Sequence, residues 1–432
     1  MAKKKIFILG AGLAGLSAAW HLRKKNIDYQ IFEKESEVGG LCRSKHVDGF
    51  TFDYDGHLLH FRHRYTLELV KSLLKSNLSS HQRKSWVYSH SRYTRYPFQA
   101  NLYGLPPQIV KECLLSFLEA SEIQVPEAKK RKNFLVWIKH TFGKGIAQHF
   151  MIPYNHKFWT VAPQKLTCDW LDGFIPVPAL KDLVDGTVGE GTKQFGYNAH
   201  FWYPKKGGIV SLVGAMAGPL ANIQTGCGVT EINLKRKEIK IASGERKRFD
   251  YLISTIPLPS MAQVIKDLPQ DIRRLFRFLK WNSIFNLNLG IKSKINPGKH
   301  WVYFPGKELV FFRVGFTHNF SSASAPSGQG SLYAEVSYAP RKYIDKNRLC
   351  RRIKEDLKKV GIIKSENEIC CQDANEIKYG YPIYDKNYRK TTTEITEYLL
   401  MNNIIPCGRY GAWCYMSMEE AILDGRRVAS FF

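Results

Sequence analysis

Apolar and polar positions fall into blocks along the chain, and the first block is the clearest. Residues 6–9, Ile-Phe-Ile-Leu, are apolar throughout and predict a short buried parallel strand. Gly10-Ala11-Gly12-Leu13-Ala14-Gly15 turns directly into a helix-compatible stretch that ends near Lys25. A second apolar run, residues 29–32, stops at Glu33. Residues 49–61, GFTFDYDGHLLHF, alternate like a strand and bend at Asp55-Gly56, and helical spacing follows over 68–78, 109–120 and 134–142. After residue 201 a Gly-Gly turn leads into a helix, and residues 223–243 and 249–259 alternate like strands of a nucleotide-binding sheet. Residues 261–383 mix helical and strand patterns. The end of the chain reads as a strand, a Gly408-Arg409-Tyr410-Gly411 turn and a closing helix from about Met418.

Strand, glycine turn, helix, strand and acid, in that order, form the dinucleotide-binding fingerprint. Gly10 permits the tight turn, Gly12 lets a pyrophosphate approach the backbone, and Gly15 lets the helix pack close to the strand. Leu13 and Ala14 open the helix whose N–H groups would face the pyrophosphate. Glu33 would accept from ribose hydroxyls, with Lys34 beside it. A second glycine pair, Gly39-Gly40-Leu41, followed by Arg43, can pass beside the same pyrophosphate and supply fixed positive charge. The closing helix would aim its N-terminus, at Met418, at this cofactor. The expected fold is α/β: a three-layer Rossmann-like domain from residues 1–85, 201–260 and 385–432, interleaved with an α+β substrate domain from 86–200 and 261–384.

Composition adjusts this picture only slightly. Lysine and arginine outnumber aspartate and glutamate by 64 to 38, a formal charge of +26 that favours anionic partners. The basic residues are scattered, and the densest run, 129–132, reads as a solvated face. Nucleic acid is therefore not expected as a partner, and a membrane surface is compatible but not indicated. Nine cysteines show neither a C-x-x-C pair nor metal-ligand spacing, which suits a reducing cytoplasm and a protein without a metal. The basic N-terminus precedes only four apolar residues, too few for a signal peptide. No stretch approaches the ~18 uninterrupted apolar residues of a membrane span.

Candidate chemistry clusters in two places outside the fingerprint. His57 follows a flexible glycine and could reach a cofactor edge. Residues 85–106 and 150–171 crowd Tyr, Trp, Phe, Asn, Gln and Arg together, a mixture suited to a base with a phosphate or sugar.

The two-part glycine pattern resembles the FAD-binding segment of flavin amine oxidases, protoporphyrinogen oxidases and UDP-galactopyranose mutases. Further along, DGHLLHF, RYPFQANLYGLP, FMIPYNHKFW, CDWL, WVYFP, FFRVGFTHNFS, GYP and GRYGAWCY follow in the order of the mutases, most closely the eukaryotic type. The resemblance implies FAD as cofactor, with Val229 by the adenine and Gly408 and Arg409 at the flavin. It implies Tyr96, Gln99, Phe150, Asn155 and Trp159 near a uridine. Tyr303, Tyr381 and Tyr415 match tyrosines at the diphosphate or sugar, and Arg313 matches a diphosphate clamp. His57, Arg313, Tyr381 and Tyr415 are the implied catalytic residues.

Two departures qualify the likeness. Phe174 stands where these mutases carry a second arginine, leaving Lys157 or Lys181 as candidate substitutes. Residues 416–422, MSMEEAI, resemble the ending of flavin oxidases. The implied activity is an FAD-dependent mutase on a nucleotide-activated sugar, of the UDP-galactopyranose-to-furanose type, in which reduced flavin N5 attacks the anomeric carbon and NADPH or NADH is the reductant. The alternative is an FAD-dependent amine oxidase or desaturase on the same scaffold.

Overall fold

Alternate side chains of β1 (Ile6–Leu9) enter two different cores. Ile6 and Ile8 pack with α1 (Leu13–Lys24), while Phe7 and Leu9 pack on the opposite face of the sheet. The computed structural model describes residues 4–171, 173–189, 191, 193–196 and 198–432. In it, β1 sits at the centre of a five-stranded parallel sheet ordered Ile404–Pro406, Tyr251–Ser254, β1, β2 (Gln30–Phe32), Ile223–Gln224. Ile8 is in register with Ile253 on one side and Ile31 on the other. Both faces are covered, so the strands are apolar rather than alternating.

Helix α1 lies against the C-terminal helix Met418–Ala429 at backbone contact. A Cβ on Gly425 would stand 2.6 Å from the Ala14 carbonyl oxygen. The sequence reading placed residues 223–259 in this sheet, but only their two ends join it. Val229–Asn233, Glu238–Ile241 and Arg246–Arg248 form a separate antiparallel meander. Its strands carry Ile232, Ile239 and Ile241 on the covered face and charges on the other, the pattern of a sheet solvated on one side.

The second sheet has seven strands, ordered Ile369–Ile377, Ser283–Ile291, Gly330–Tyr338, Arg313–Gly315, Trp301–Tyr303, Ser85–Ser89, Arg92–Arg95. It is antiparallel except where Trp301–Tyr303 runs alongside Ser85–Ser89. The helix Lys346–Lys359 covers one face through Ile353 and Leu357. Helices Pro107–Glu122, Phe134–Ile146 and Ile152–Trp159 share an aromatic core with Phe98, Phe150 and Tyr303. The helix expected over 68–78 spans Arg64–Leu74, ended by Lys75 at φ 50°, and Leu78 begins a strand. The turn at Gly408–Gly411 is a single helical turn. No helix among the described residues is long and apolar enough to cross a membrane.

Candidate active site

One cavity of about 840 Å³ runs from the fingerprint turn to the aromatic segments. Every site residue expected from the sequence lines it except Gly15 and the two candidate stand-ins, Lys157 and Lys181. Gly15 works by packing: a Cβ there would lie 2.1 Å from the Gly10 carbonyl oxygen. Gly10 itself holds φ +103°, where an L side chain is strained and a Cβ would strike Thr255 Oγ1 at 2.3 Å.

The nucleotide end is made of backbone. Gly12 provides no side-chain cap to α1, so the first-turn amides face the cavity that Leu13 and Ala14 line. Gly12 bridges to Gly39, bringing the two glycine turns together. Glu33, buried at the end of β2, accepts from Ala11 N at 2.7 Å and Glu35 N at 2.9 Å, which fixes its carboxylate beside the turn. Arg43 is anchored by Nε donation to the Gly40 carbonyl at 2.8 Å. At the far side Arg409 lies 4.8 Å from the Tyr381 ring and 4.9 Å from the Tyr415 ring, and its buried Nε has no partner among the described residues. Exposed first-turn amides, a glycine-bounded cradle and an orphaned guanidinium N–H together fit FAD.

The substrate end is aromatic with a few aimed polar groups. Gln99 sits in the short helical turn Phe98–Ala100, only 1% exposed. Its Nε2 donates to the Pro176 carbonyl at 2.8 Å, while its Oε1 accepts from nothing among the described residues. Phe150 stacks on Tyr154 at 5.3 Å, and Tyr96 meets Tyr303 at 4.7 Å. Tyr303 is opposite Arg313 across neighbouring strands. Arg313 binds Glu335 in a two-pronged pair, through Nε and through Nη2 at 2.7 Å, and the Glu335 side chain is fully buried. Burial, reinforced by the nearby Asp55 carboxyl, pushes Glu335 above the usual carboxylate range against the pull of Arg313. His57 has Nδ1 3.0 Å from the Asp55 carbonyl. Tyr381 and Tyr415 stack at 5.6 Å, and Phe174 meets Tyr415 edge-on at 4.6 Å.

The family model for flavin-containing amine oxidoreductases matches residues 13–430. The chain belongs to that family. Membership implies FAD. A crystal structure of reduced UDP-galactopyranose mutase superposes with a TM-score of 0.93 at 26% identity, covering 99% of this chain and 95% of that one. Wild-type putrescine oxidase bound to putrescine shares the fold, with a TM-score of 0.69 at 17% identity over 99% of this chain and 98% of that one. Curated relatives match over short stretches. The zeta-carotene-forming phytoene desaturase of Myxococcus xanthus is 46% identical over 50 residues, 12% of this chain and 10% of its own length. The rat (Rattus norvegicus) prenylcysteine oxidase 1 is 33% identical over 89 residues, 20% of this chain and 18% of its own. The chain thus spans between a tenth and a fifth of these two relatives.

Neither proposed stand-in for the second arginine of the mutases reaches this flavoenzyme cavity. Lys157 spends its ammonium on the carbonyls of Phe304 at 2.8 Å, Phe311 at 3.2 Å and Gly306. Burial lowers it to about 8. Lys181 lies exposed on the helix Leu180–Val188. The Arg62 guanidinium lies 5.6 Å from the Phe174 ring. Several cavity residues escaped the sequence reading. Tyr154 and Phe158 follow Phe150 at helical spacing, a signal present in the sequence. Asp55, His60 and Tyr410 also line the cavity. Burial brings His60 down to about 4, so it is neutral at physiological pH. Glu335, which holds the Arg313 guanidinium in place, gave no signal beyond one acid in an apolar strand.

Proposed function

We propose that this flavoenzyme is an FAD-dependent mutase acting on a nucleotide-activated sugar. The observation that carries the reading is Gln99 Oε1, a buried acceptor that no donor among the described residues reaches, at the aromatic end of the cavity. An unsatisfied buried acceptor costs about 1–3 kcal/mol, and a pyrimidine N–H satisfies it. Asn155, held by its own Nδ2 bond to the Met151 carbonyl at 2.8 Å, stands on the same wall. The likeness to the reduced mutase supports the same assignment.

In this reading each residue has a task. Phe150, Tyr154 and Trp159 enclose the base and exclude water. Arg313 presents Nη1, the nitrogen that Glu335 leaves to a ligand, to the diphosphate. Burial raises Tyr96, Tyr303 and Tyr381 above the ordinary tyrosine range, so their hydroxyls remain donors. Reduced FAD supplies a nucleophilic ring nitrogen when bound. The chain's own part is to hold the anomeric carbon in line with it and to stabilise the departing diphosphate.

Calorimetric titration of the purified yellow protein tests the nucleotide assignment. UDP is expected to bind, and Gln99→Leu to weaken it about tenfold. No heat with UDP or any other nucleoside diphosphate rules the reading out.

A second reading, an amine oxidase or desaturase, is favoured by one specific observation. Phe174, meeting Tyr415 edge-on, stands where a second diphosphate clamp is expected, and Arg313 is already paired with Glu335. Substrate-dependent bleaching of oxidised flavin with peroxide release supports that reading; an unchanged flavin spectrum across amines counts against it.

A further inference from the structure

The helix Lys346–Lys359 has two opposed faces. Ile353 and Leu357 are buried in the core beneath the seven-stranded sheet, with Leu349 and Val360 packed in line. Arg348, Arg351, Arg352, Glu355, Lys358 and Lys359 are all exposed. Their spacing of three and four residues makes them one continuous outward stripe about 17 Å long, with five cations and a single acid. Arg352 is paired with Asp356 at 3.2 Å and Lys358 with Glu366 at 3.4 Å. Among the described residues Arg348, Arg351 and Lys359 make no ion pair.

The approach to the helix continues the pattern. Arg341 and Lys342 are exposed, and between them and the helix Tyr343 projects with 88% of its surface in solvent. A large aromatic side chain standing mostly in solvent, flanked by cations, is the arrangement found where protein meets a lipid headgroup layer. The stripe lies on a helix held flat against the sheet, so all its cations can approach one plane together. Nucleic-acid surfaces are built differently, with aromatic platforms inside a basic groove or a helix free to enter one. Here the helix is fixed and the lone aromatic stands at one end of the stripe.

We propose that this face, the Arg348–Lys359 stripe together with Arg341, Lys342 and Tyr343, docks the enzyme on an anionic lipid bilayer. Each basic side chain brought to such a surface strengthens association about fivefold, and the gain falls with salt. The docking is peripheral: the apolar side of the helix is already used by the protein core, so attachment is reversible and electrostatic. It does not depend on which substrate the cavity takes.

The test is co-sedimentation of the full flavin-loaded chain with vesicles of pure phosphatidylcholine and of phosphatidylcholine containing roughly one-third phosphatidylglycerol. Binding to the anionic vesicles alone is expected, together with a steep fall on adding salt. The triple variant R348E/R351E/K359E should lose at least about 100-fold of that binding. Tyr343→Ala should lose severalfold. Unchanged flavin absorbance and melting temperature show that both variants are folded. Equal binding to neutral vesicles overturns the proposal, as does full binding by the triple variant. So does an absence of vesicle binding, including the case where a duplex oligonucleotide is retained instead.

Discussion

Phe174→Arg returns a cation to the place where the mutases hold their second arginine. Phe174 lines the cavity, with its ring edge-on to Tyr415 at 4.6 Å. Truncating that contact loses about 0.5–1.5 kcal/mol of fold stability, equally with and without ligand, so it leaves affinity unchanged. A guanidinium reaching a phosphate gains about 1.5–3 kcal/mol through charged hydrogen bonds. Arg62, 5.6 Å from the ring, offsets part of that gain by like-charge repulsion, which salt screens. The net expectation is about 1.4 kcal/mol, or tenfold tighter UDP. Calorimetry with UDP and with uridine separates the effects, because uridine lacks the phosphates. UDP should tighten while uridine stays unchanged, and the UDP gain should shrink as salt rises. Equal changes for both ligands, or weaker UDP binding, would show that phosphates do not sit beside residue 174.

Arg313→Ala strands Glu335, fully buried, without its partner, and is expected to cost about 3–5 kcal/mol in urea unfolding. The double variant Arg313→Met/Glu335→Met should recover most of that stability while still failing to bind UDP. Gly15→Ala places a Cβ 2.1 Å from a backbone oxygen and should destabilise the protein by about 3 kcal/mol or more, read as a lower melting temperature and loss of bound flavin. His300 accepts from Lys84 N at 3.1 Å, and burial lowers it to about 3. The folded state therefore binds fewer protons than the unfolded state between about pH 3 and 6.5, so this histidine's contribution to stability is lost as pH falls through that window. His300→Asn keeps an acceptor without a titrating ring. Unfolding compared at pH 4 and pH 7 should show a smaller acid loss in the variant than in the parent.

The sheet around β1 was legible because several local signals agreed there: an apolar strand, glycines whose conformations the structure requires, and an acid at the end of β2. The two faces of β1 feed separate cores, which is why its strand is apolar without alternation. The meander was misplaced because Val229–Asn233 and Glu238–Ile241 alternate much as any half-buried strand does, and alternation does not say which sheet a strand joins. The cavity lining was readable wherever a motif held it. Lys157 was not: next to Asn155 in one motif, it looks like a phosphate ligand, yet its helix turns the ammonium toward three backbone carbonyls. The Arg313–Glu335 pair escaped as well, since the partners are 22 positions apart and meet only through strand register. Asp55 was read as a bend, whereas in the fold it faces that same pair.

The most direct measurement is chromatography of UDP-galactopyranose after incubation with the dithionite-reduced enzyme, alongside an oxidised control. A ring-contracted isomer that forms only with the reduced enzyme is the expected result, and a panel of UDP-hexoses then defines the sugar. Recovery of unchanged sugar across that panel by protein that is folded, flavin-loaded and fully reduced contradicts the mutase assignment.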